Sequence, residues 1–336
     1  MKQSFNTENK NFIRENWNKP IIKFLSKRIG EKLIYIGLPS PEAGDVKQWL
    51  EHIKSIIAFQ CRDYGKASNP NQNRDQIIKL DNFLRELERQ EKIEDYTIYD
   101  GYLEEVVLKE YDNSPNEIKF SQDKFITLYN LDFCNDIASP IEYTDKNGNI
   151  KKAYKFNAIQ KLLGVQKLLS EISNKFIFYL TVHCSYKDKE LQDFINTTEK
   201  SIKDYLKRYS SLKGDDKNAE IVRLFVCHNI KKYFSANDFS YHILPIIKYQ
   251  GIGKTTLLHF SVIGIHPEPT AEGAADFQPL DEIIKRPFIT IENEQFKYET
   301  ILEEENIDPT ERIDPIKLFE KSQTFKKMWN IKKSNK

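Results

Sequence analysis

Several features that would place this chain in a special class of protein are missing from its sequence. It contains no run of about 18 consecutive apolar residues, the length that a membrane-spanning helix needs. Its first residues lack the apolar core of a secretory signal. The 51 basic and 50 acidic residues nearly cancel, so the net charge of +1 gives no overall attraction to nucleic acid or acidic membranes. We therefore expect a cytoplasmic protein that makes no membrane contact.

Closely spaced cysteines are also missing. The chain has four cysteines, and none stands in the Cys-x-x-Cys pair that most structural zinc sites use. Each lies at or just past the end of a predicted strand, and two have a histidine neighbour, in His183–Cys184 and Cys227–His228. A metal site is geometrically conceivable there, but adjacent strand residues point to opposite faces and buried free cysteine is common. We expect no metal, and reduced thiols that suit a reducing compartment.

Apolar residues, by contrast, are frequent enough for a large core. Of the 336 residues, 39% are hydrophobic and 12% are aromatic. Short apolar segments predict strands, and helical patterns separate the early ones. This alternation predicts an α/β domain with a doubly wound, mostly parallel seven-stranded sheet and helices on both faces. The predicted strands are 33–37, 56–60, 97–100, 125–132, 176–182, 221–226 and 257–265.

Other segments complete the predicted organisation. Residues 11–29 predict a helix or helix pair interrupted at Pro20, and residues 63–74 predict a polar loop. Asn147-Gly148 between extended flanks predicts a hairpin. Helical spacing predicts helices over 42–56, 75–90, 157–172 and about 189–212. We divide the chain into a helical amino-terminal arm (1–30), an α/β domain (31–268) and an irregular carboxyl-terminal extension (269–336) with a basic tail.

The end of the α/β domain predicts an antiparallel hairpin. Residues 243–249 and 256–265 flank a glycine-containing turn, Gly251-Ile-Gly253-Lys254. This turn resembles the end of a phosphate-binding P-loop, but that motif needs a further glycine where the chain has Lys248, and a helix after it. A strand pattern follows instead, so a hairpin turn is the favoured interpretation. Nucleotide hydrolysis through Lys254 is our weakest functional hypothesis.

Acidic and polar residues follow the predicted strands in a recognisable order. A loop follows the first strand, Asp100 ends the third, and Asp132 ends the fourth. Ligands bind at the carboxyl ends of the strands in a parallel sheet. Together with the terminal hairpin, this order resembles the class I S-adenosylmethionine-dependent methyltransferase fold, over residues 31–268 and hence most of the chain.

The resemblance implies a site for S-adenosylmethionine at the strand ends. Gly37, Glu42 and Asp45 would line the first loop, where glycine lets the backbone approach the cofactor. Asp63 would reach the ribose, and Asp100 would meet the adenine amine. The reacting methyl group would face two further residues, Asp132 and Asn135, which would orient the acceptor. Catalysis in this fold is largely positioning of the acceptor and the methyl donor.

The sequence also departs from the family pattern. The first loop keeps two glycines and gains two prolines, Pro39 and Pro41, where an open glycine-rich turn is usual. The second strand ends in Gln60 instead of an acid. Two functions stay open: a methyltransferase acting on nucleic acid or protein, and a catalytically inactive relative that binds a partner or senses a nucleotide. The lysine-rich tail, residues 321–336, would allow contact with nucleic acid or an acidic partner.

Overall fold

The computed structural model describes residues 7–60, 70–170, 174–184, 189–197, 212–266, 278, 280–299, 313–322 and 324–326. The chain forms two compact units. The first unit comprises residues 14–132 and 140–177, and the second comprises 1–13, 133–139 and 178–336.

The helices are α1 (Glu8–Ile13), α2 (Lys19–Ile29), α3 (Gly44–Trp49), α4 (Pro70–Arg89), α5 (Leu103–Lys109), α6 (Lys155–Leu168), α7 (Lys189–Thr197), α8 (Gly214–Ala236), α9 (Leu280–Ile284) and α10 (Pro315–Lys321). The strands are β1 (Leu33–Gly37), β2 (Ile53–Gln60), β3 (Asp95–Asp100), β4 (Leu128–Asp136), β5 (Ile141–Thr144), β6 (Ile150–Ala153), β7 (Lys175–His183), β8 (Ser240–Ile243), β9 (Ile247–Gln250), β10 (Thr256–Ile265), β11 (Ile289–Glu292) and β12 (Gln295–Tyr298).

The first unit is built on a parallel sheet in the order β3-β2-β1-β4. The backbone N–H of Ile177 donates to the carbonyl of Thr127 at 2.9 Å, which places the start of β7 beside β4. The order reverses at β1, because β2 lies on one side of it and the later strand β4 on the other. Such a reversal is the switch point at which open α/β sheets bind their ligands.

In the second unit β7 is followed by β10, β9, β11 and β12, and β8 also pairs with β10. The pairs of β10 with β8 and with β9 are antiparallel, as predicted for the terminal hairpin. The predicted α/β class with a mostly parallel sheet and flanking helices is confirmed. The separate β5–β6 hairpin around Asn147-Gly148 is confirmed as well.

The predicted strand 221–226 is wrong, because these residues lie inside the helix α8. Most of α8 from Ala219 onward is buried, so apolar residues occur on nearly all its faces. A short buried apolar run has the same composition in a helix and in a central strand, and periodicity does not separate them. The predicted count of seven strands in the sheet is wrong too, since the described residues form a ten-stranded sheet and a separate two-stranded hairpin.

Three boundaries also differ from the prediction. The loop predicted over 63–74 is helical from Pro70, and residues 61–69 lie outside the described part of the chain. The segment 243–249 forms two strands, β8 and β9, separated around Pro245, which cannot donate a ladder hydrogen bond. Pro20 lies in the first turn of α2, directly after a π-helical turn at Arg14–Asn18.

The predicted irregular extension contains regular elements, namely α9, β11, β12 and α10. Among the residues that the structure describes, none of the helices combines the length and apolarity needed to cross a membrane.

Candidate functional site

The candidate site lies where β1 ends, at the switch point of the first unit. Gly37 is the last residue of β1 and pairs with Asn130 of β4. The next residue, Leu38, donates its backbone N–H to the carbonyl of Asn130 at 3.2 Å. The sequence therefore predicted the location of the strand-end loop correctly, and the side chains around Gly37 decide what this place can bind.

The space beside Gly37 is filled by the side chain of Tyr35. Residues two apart in a strand point to the same face, so the Tyr35 ring extends over Gly37. A Cβ atom built on Gly37 would lie 2.3 Å from Tyr35 Oη, 2.5 Å from Tyr35 Cζ and 2.7 Å from the carbonyl oxygen of Asn130. Glycine is needed here to make room for a tyrosine of the same strand.

Tyr35 is held in this place by a buried hydrogen-bond cluster, which we call the Tyr35 plug: Tyr35, Asp45 and Asn130. Tyr35 Oη and Asn130 Nδ2 each donate to Asp45 Oδ2 at 2.6 Å. Asn130 Nδ2 also lies 3.4 Å from Tyr35 Oη. The exposed fractions of Tyr35, Asp45 and Asn130 are 0%, 2% and 8%. Hydrogen bonds to an ionised acceptor are the strong ones, so the plug is a rigid part of the core.

The pKa of Tyr35 is held well above its ordinary value, mainly by burial and also by the neighbouring Asp45 carboxylate. The phenol therefore stays protonated and continues to donate its hydrogen bond to Asp45. The other carboxylate oxygen, Asp45 Oδ1, is buried and has no hydrogen-bond partner among the described residues. It lies in the first turn of α3, where the helix dipole favours negative charge.

These residues do not fit the cofactor that the methyltransferase resemblance implies. In that family glycines keep the end of the first strand open to the cofactor, whereas here the Tyr35 ring and the Asn130 carbonyl occupy the space. The implied ligand Asp45 is turned inward and accepts hydrogen bonds from two side chains of its own chain. The sequence missed Tyr35 and Asn130. The sequence did contain one signal for Tyr35: it lies two residues before Gly37 on the same strand, so both residues belong to the same face.

Two of the other implied cofactor residues lie in the turn before α3 and at the end of β3. Glu42 is half-exposed and pairs with Lys79 on the surface, at 3.1 Å from Lys79 Nζ to Glu42 Oε1. Asp100 is buried at the end of β3, and its backbone N–H donates to Asp112 Oδ2 at 3.1 Å. Asp63 lies outside the described residues. Of the five implied cofactor residues, the structure brings Gly37 and Asp45 together.

Asp112 organises the loop that follows α5, and the sequence interpretation also missed it. Its Oδ1 accepts from the backbone N–H of Ser114 at 3.1 Å, from Ser114 Oγ at 2.6 Å and from the backbone N–H of Ile118 at 2.8 Å. A carboxylate with this many donors fixes a loop, so the acid beside Asp100 has a structural role.

The two residues implied in catalysis both belong to β4. Asp132 is partly exposed and follows Asn130 by two positions, so both point to the same face of the strand. Asn135 lies in β4, and its side chain is outside what the structure describes. The expectation that Asp132 ends the fourth strand is wrong, because β4 continues to Asp136.

The remaining candidate features are structural. Gly251 begins a tight turn between β9 and β10, and a strand follows Lys254, so the hairpin interpretation of this segment is confirmed. Cys184 and Cys227 are free and buried, and burial raises the pKa of each thiol to about 12. Both thiols are therefore protonated at neutral pH. Within the described parts of the chain, no group of three His, Cys, Asp or Glu side chains is arranged to hold a metal ion.

No known family matches this sequence, and no curated protein matches it. Solved structures do, and methyltransferases are among them. The small RNA methyltransferase HEN1 is 11% identical, with 81% of this chain and 27% of that chain covered and a TM-score of 0.34. The YcgJ protein of Bacillus subtilis is 10% identical, with 74% and 98% covered and a TM-score of 0.33.

EvdMO1 is 7% identical, with 74% and 41% covered and a TM-score of 0.34. TM-scores this low carry no argument about fold or function. The α/β class rests instead on the order and direction of the strands.

Proposed function

We propose that this chain is a catalytically inactive protein of methyltransferase-like fold, which acts by binding another macromolecule. The observation that supports the proposal is the Tyr35 plug. Where the resemblance requires an open loop for S-adenosylmethionine, the chain has a buried tyrosine, a buried aspartate and a buried asparagine in contact with one another.

A cofactor entering this place would first have to displace Tyr35. Moving the ring out would expose a buried aromatic side chain, at about 1.5–3 kcal/mol. It would also break a hydrogen bond to a charged group, worth about 1.5–3 kcal/mol. The sum, about 3–6 kcal/mol, weakens binding by roughly two to four orders of magnitude. A cofactor site with such a penalty is poorly suited to turnover.

Methyl transfer from S-adenosylmethionine is the competing proposal. Asp132 favours methyl transfer, because this acid is partly exposed on β4, the strand that pairs with β1 at the switch point. In this case Tyr35 would have to move when the cofactor enters, and Asp132 and Asn135 would orient an acceptor in nucleic acid or protein.

Calorimetry with S-adenosylmethionine and S-adenosylhomocysteine separates the two proposals. For the wild-type chain we expect no binding heat with either ligand up to about 1 mM. Tyr35→Phe is the matched control, because it keeps the ring and removes only the hydroxyl group. Tyr35→Ala removes the ring and opens the space beside Gly37.

Binding by Tyr35→Ala, with none by the wild type or Tyr35→Phe, would identify the ring as the barrier and support the proposal. Absence of binding by all three proteins also supports an inactive chain. Binding by the wild type with a dissociation constant below about 100 µM, or methylation of any protein or RNA, would overturn it. The partner is part of the proposal: a protein, or nucleic acid through the lysine-rich residues 321–336.

A further inference from the structure

A carboxyl-terminal segment of the second unit covers a buried histidine. We call residues 313–322 and 324–326 the latch segment; it contains α10. Phe319 and Phe325 of this segment lie 5.7 Å and 6.0 Å from the His242 ring, between ring centroids, and 4.9 Å from each other. Ser322 Oγ lies 3.4 Å from His242 Nδ1. The contact between the latch segment and β8 is therefore centred on His242.

The environment of His242 favours the neutral imidazole. The ring has 0% exposure, and its Nε2 atom is buried with no hydrogen-bond partner among the described residues. Both phenylalanines that face it are buried as well. Burial, and to a lesser extent the positive charge of Arg286, lower the pKa of His242 to about 3. A proton added at Nε2 would have no acceptor among the described residues and little solvent.

The charged groups around His242 do not offset this cost. Arg286 is the cation that acts on the ring, and its guanidinium is paired with the Glu282 carboxylate. On β8 itself the neighbour Tyr241 carries a phenol whose pKa is raised, mainly by burial, so it is neutral. Within the latch segment Lys317, Glu320, Lys321 and Lys326 are exposed. On α8 the thiol of Cys227, which acts on Tyr241, is buried and neutral.

We propose that the latch segment is an acid-releasable cover, in which protonation of His242 and undocking of the segment are coupled. In the docked state His242 is neutral. When the segment leaves, the ring meets water and its pKa returns towards the ordinary value near about 6.5. Release would expose Phe319, Phe325 and the His242 side of β8. The inference does not depend on whether the chain binds a cofactor.

The sign of the pH dependence follows from the lowered pKa. Docking has its full strength above about pH 6.5, where His242 is neutral in both states. Below that value only the undocked state takes up the proton. The docking equilibrium therefore weakens about tenfold for each pH unit until the pH approaches the docked pKa.

Hydrogen exchange with mass spectrometry tests this in the full chain, from about pH 8 to about pH 5. Protection factors are compared for peptides of the latch segment, of β8 and of β1. Each factor is corrected for the pH dependence of the intrinsic amide exchange rate. We expect a roughly tenfold loss of protection per pH unit below about 6.5 in the latch segment and β8, with β1 unchanged. His242→Phe and His242→Gln should remove this pH dependence.

Two variants serve as controls. Ser322→Ala should lower protection of the latch segment and keep its pH dependence, since His242 still titrates. His52→Gln, which changes a histidine of the first unit, should behave as the wild type. The proposal would be overturned if the protection factors of the wild-type latch segment did not change between about pH 8 and about pH 5. An unchanged pH dependence in either His242 variant that folds would also overturn it.

Discussion

Replacing Gly37 by alanine should destabilise the first unit by about 2.5–6 kcal/mol. The added methyl carbon would lie 2.3 Å from Tyr35 Oη and 2.7 Å from the carbonyl oxygen of Asn130. The first atom belongs to a buried, hydrogen-bonded ring and the second to the backbone of β4. The neighbour that can move is therefore Tyr35, and moving it breaks the hydrogen bond to Asp45.

The magnitude is the sum of two effects. Overpacking a dense core costs about 1–3 kcal/mol, and the loss of a hydrogen bond to a charged group costs about 1.5–3 kcal/mol. The backbone contributes little, because Gly37 does not have the positive φ angle that alanine would avoid. The predicted cost is therefore steric and belongs to the contact with Tyr35.

Tryptophan fluorescence during urea unfolding gives a suitable assay. Trp17 and Trp49 are both fully buried and both belong to the first unit. The third tryptophan, Trp329, lies outside the described residues, so Trp329→Phe is used as the background for all variants. The midpoint and the slope of the transition then give the free energy of unfolding for the part of the molecule that contains Gly37.

A double-mutant cycle with Tyr35→Leu isolates the contact. Leucine lacks both the hydroxyl and the ring carbon that the new methyl group would meet, so Gly37→Ala should cost about 2 kcal/mol less in this background. Some cost remains, because the Asn130 carbonyl is still close. If Gly37→Ala costs the same in both backgrounds, or costs little in either, the Tyr35 plug does not exist as described.

Gly30→Ala is the matched control for this cycle. Gly30 follows α2 with φ of +83°, and a Cβ atom added to it would meet nothing within 4 Å, so the cost of the substitution comes from backbone strain alone. That cost is about 1–2 kcal/mol and should be the same with Tyr35 or with leucine at position 35.

Two further predictions compare a buried and an exposed ion pair of the first unit. Glu104 and Lys155 are fully buried, 3.6 Å apart, so Lys155→Met should cost about 3–5 kcal/mol in urea unfolding by leaving a buried carboxylate unpaired. Adding Glu104→Leu should recover most of that loss, and a double variant no more stable than the single one would contradict the argument. Glu42→Ala, which breaks the exposed pair with Lys79, should change stability by no more than about 1 kcal/mol; a larger loss would mean that Glu42 has a role beyond this pair.

Much of the fold was predictable from local patterns. β1, β2 and β7 are mostly apolar segments between helical patterns, and a buried parallel strand needs this composition. The turn at Asn147-Gly148 was predictable because Gly148 adopts a φ of +80°, which glycine reaches without strain. The helix α8 was not, because packing on nearly all its faces removes the polar stripe that distinguishes a helix from a strand.

The location of the candidate site was predictable as well, but the direction in which its side chains point was not. Gly37 ends β1 as predicted, whereas Asp132 lies in the middle of β4, two residues beyond the partner of Gly37. Asp45 follows eight residues after Gly37, and nothing in that spacing tells whether its carboxylate faces a ligand or the core. The structure turns it inward because α3 packs with Asp45 buried beneath Tyr35 and Asn130.

The sequence by itself determined the α/β class, the order of the early strands and the end of β1 as the place to look for a site. These follow from hydrophobic periodicity and turn chemistry, which act over a few residues. Only the tertiary structure decided that Gly37 accommodates a tyrosine of its own strand. Alternation places Tyr35 on the same face as Gly37, but the ring lies over the glycine because Asp45 of α3 and Asn130 of β4 provide its hydrogen-bond partners there.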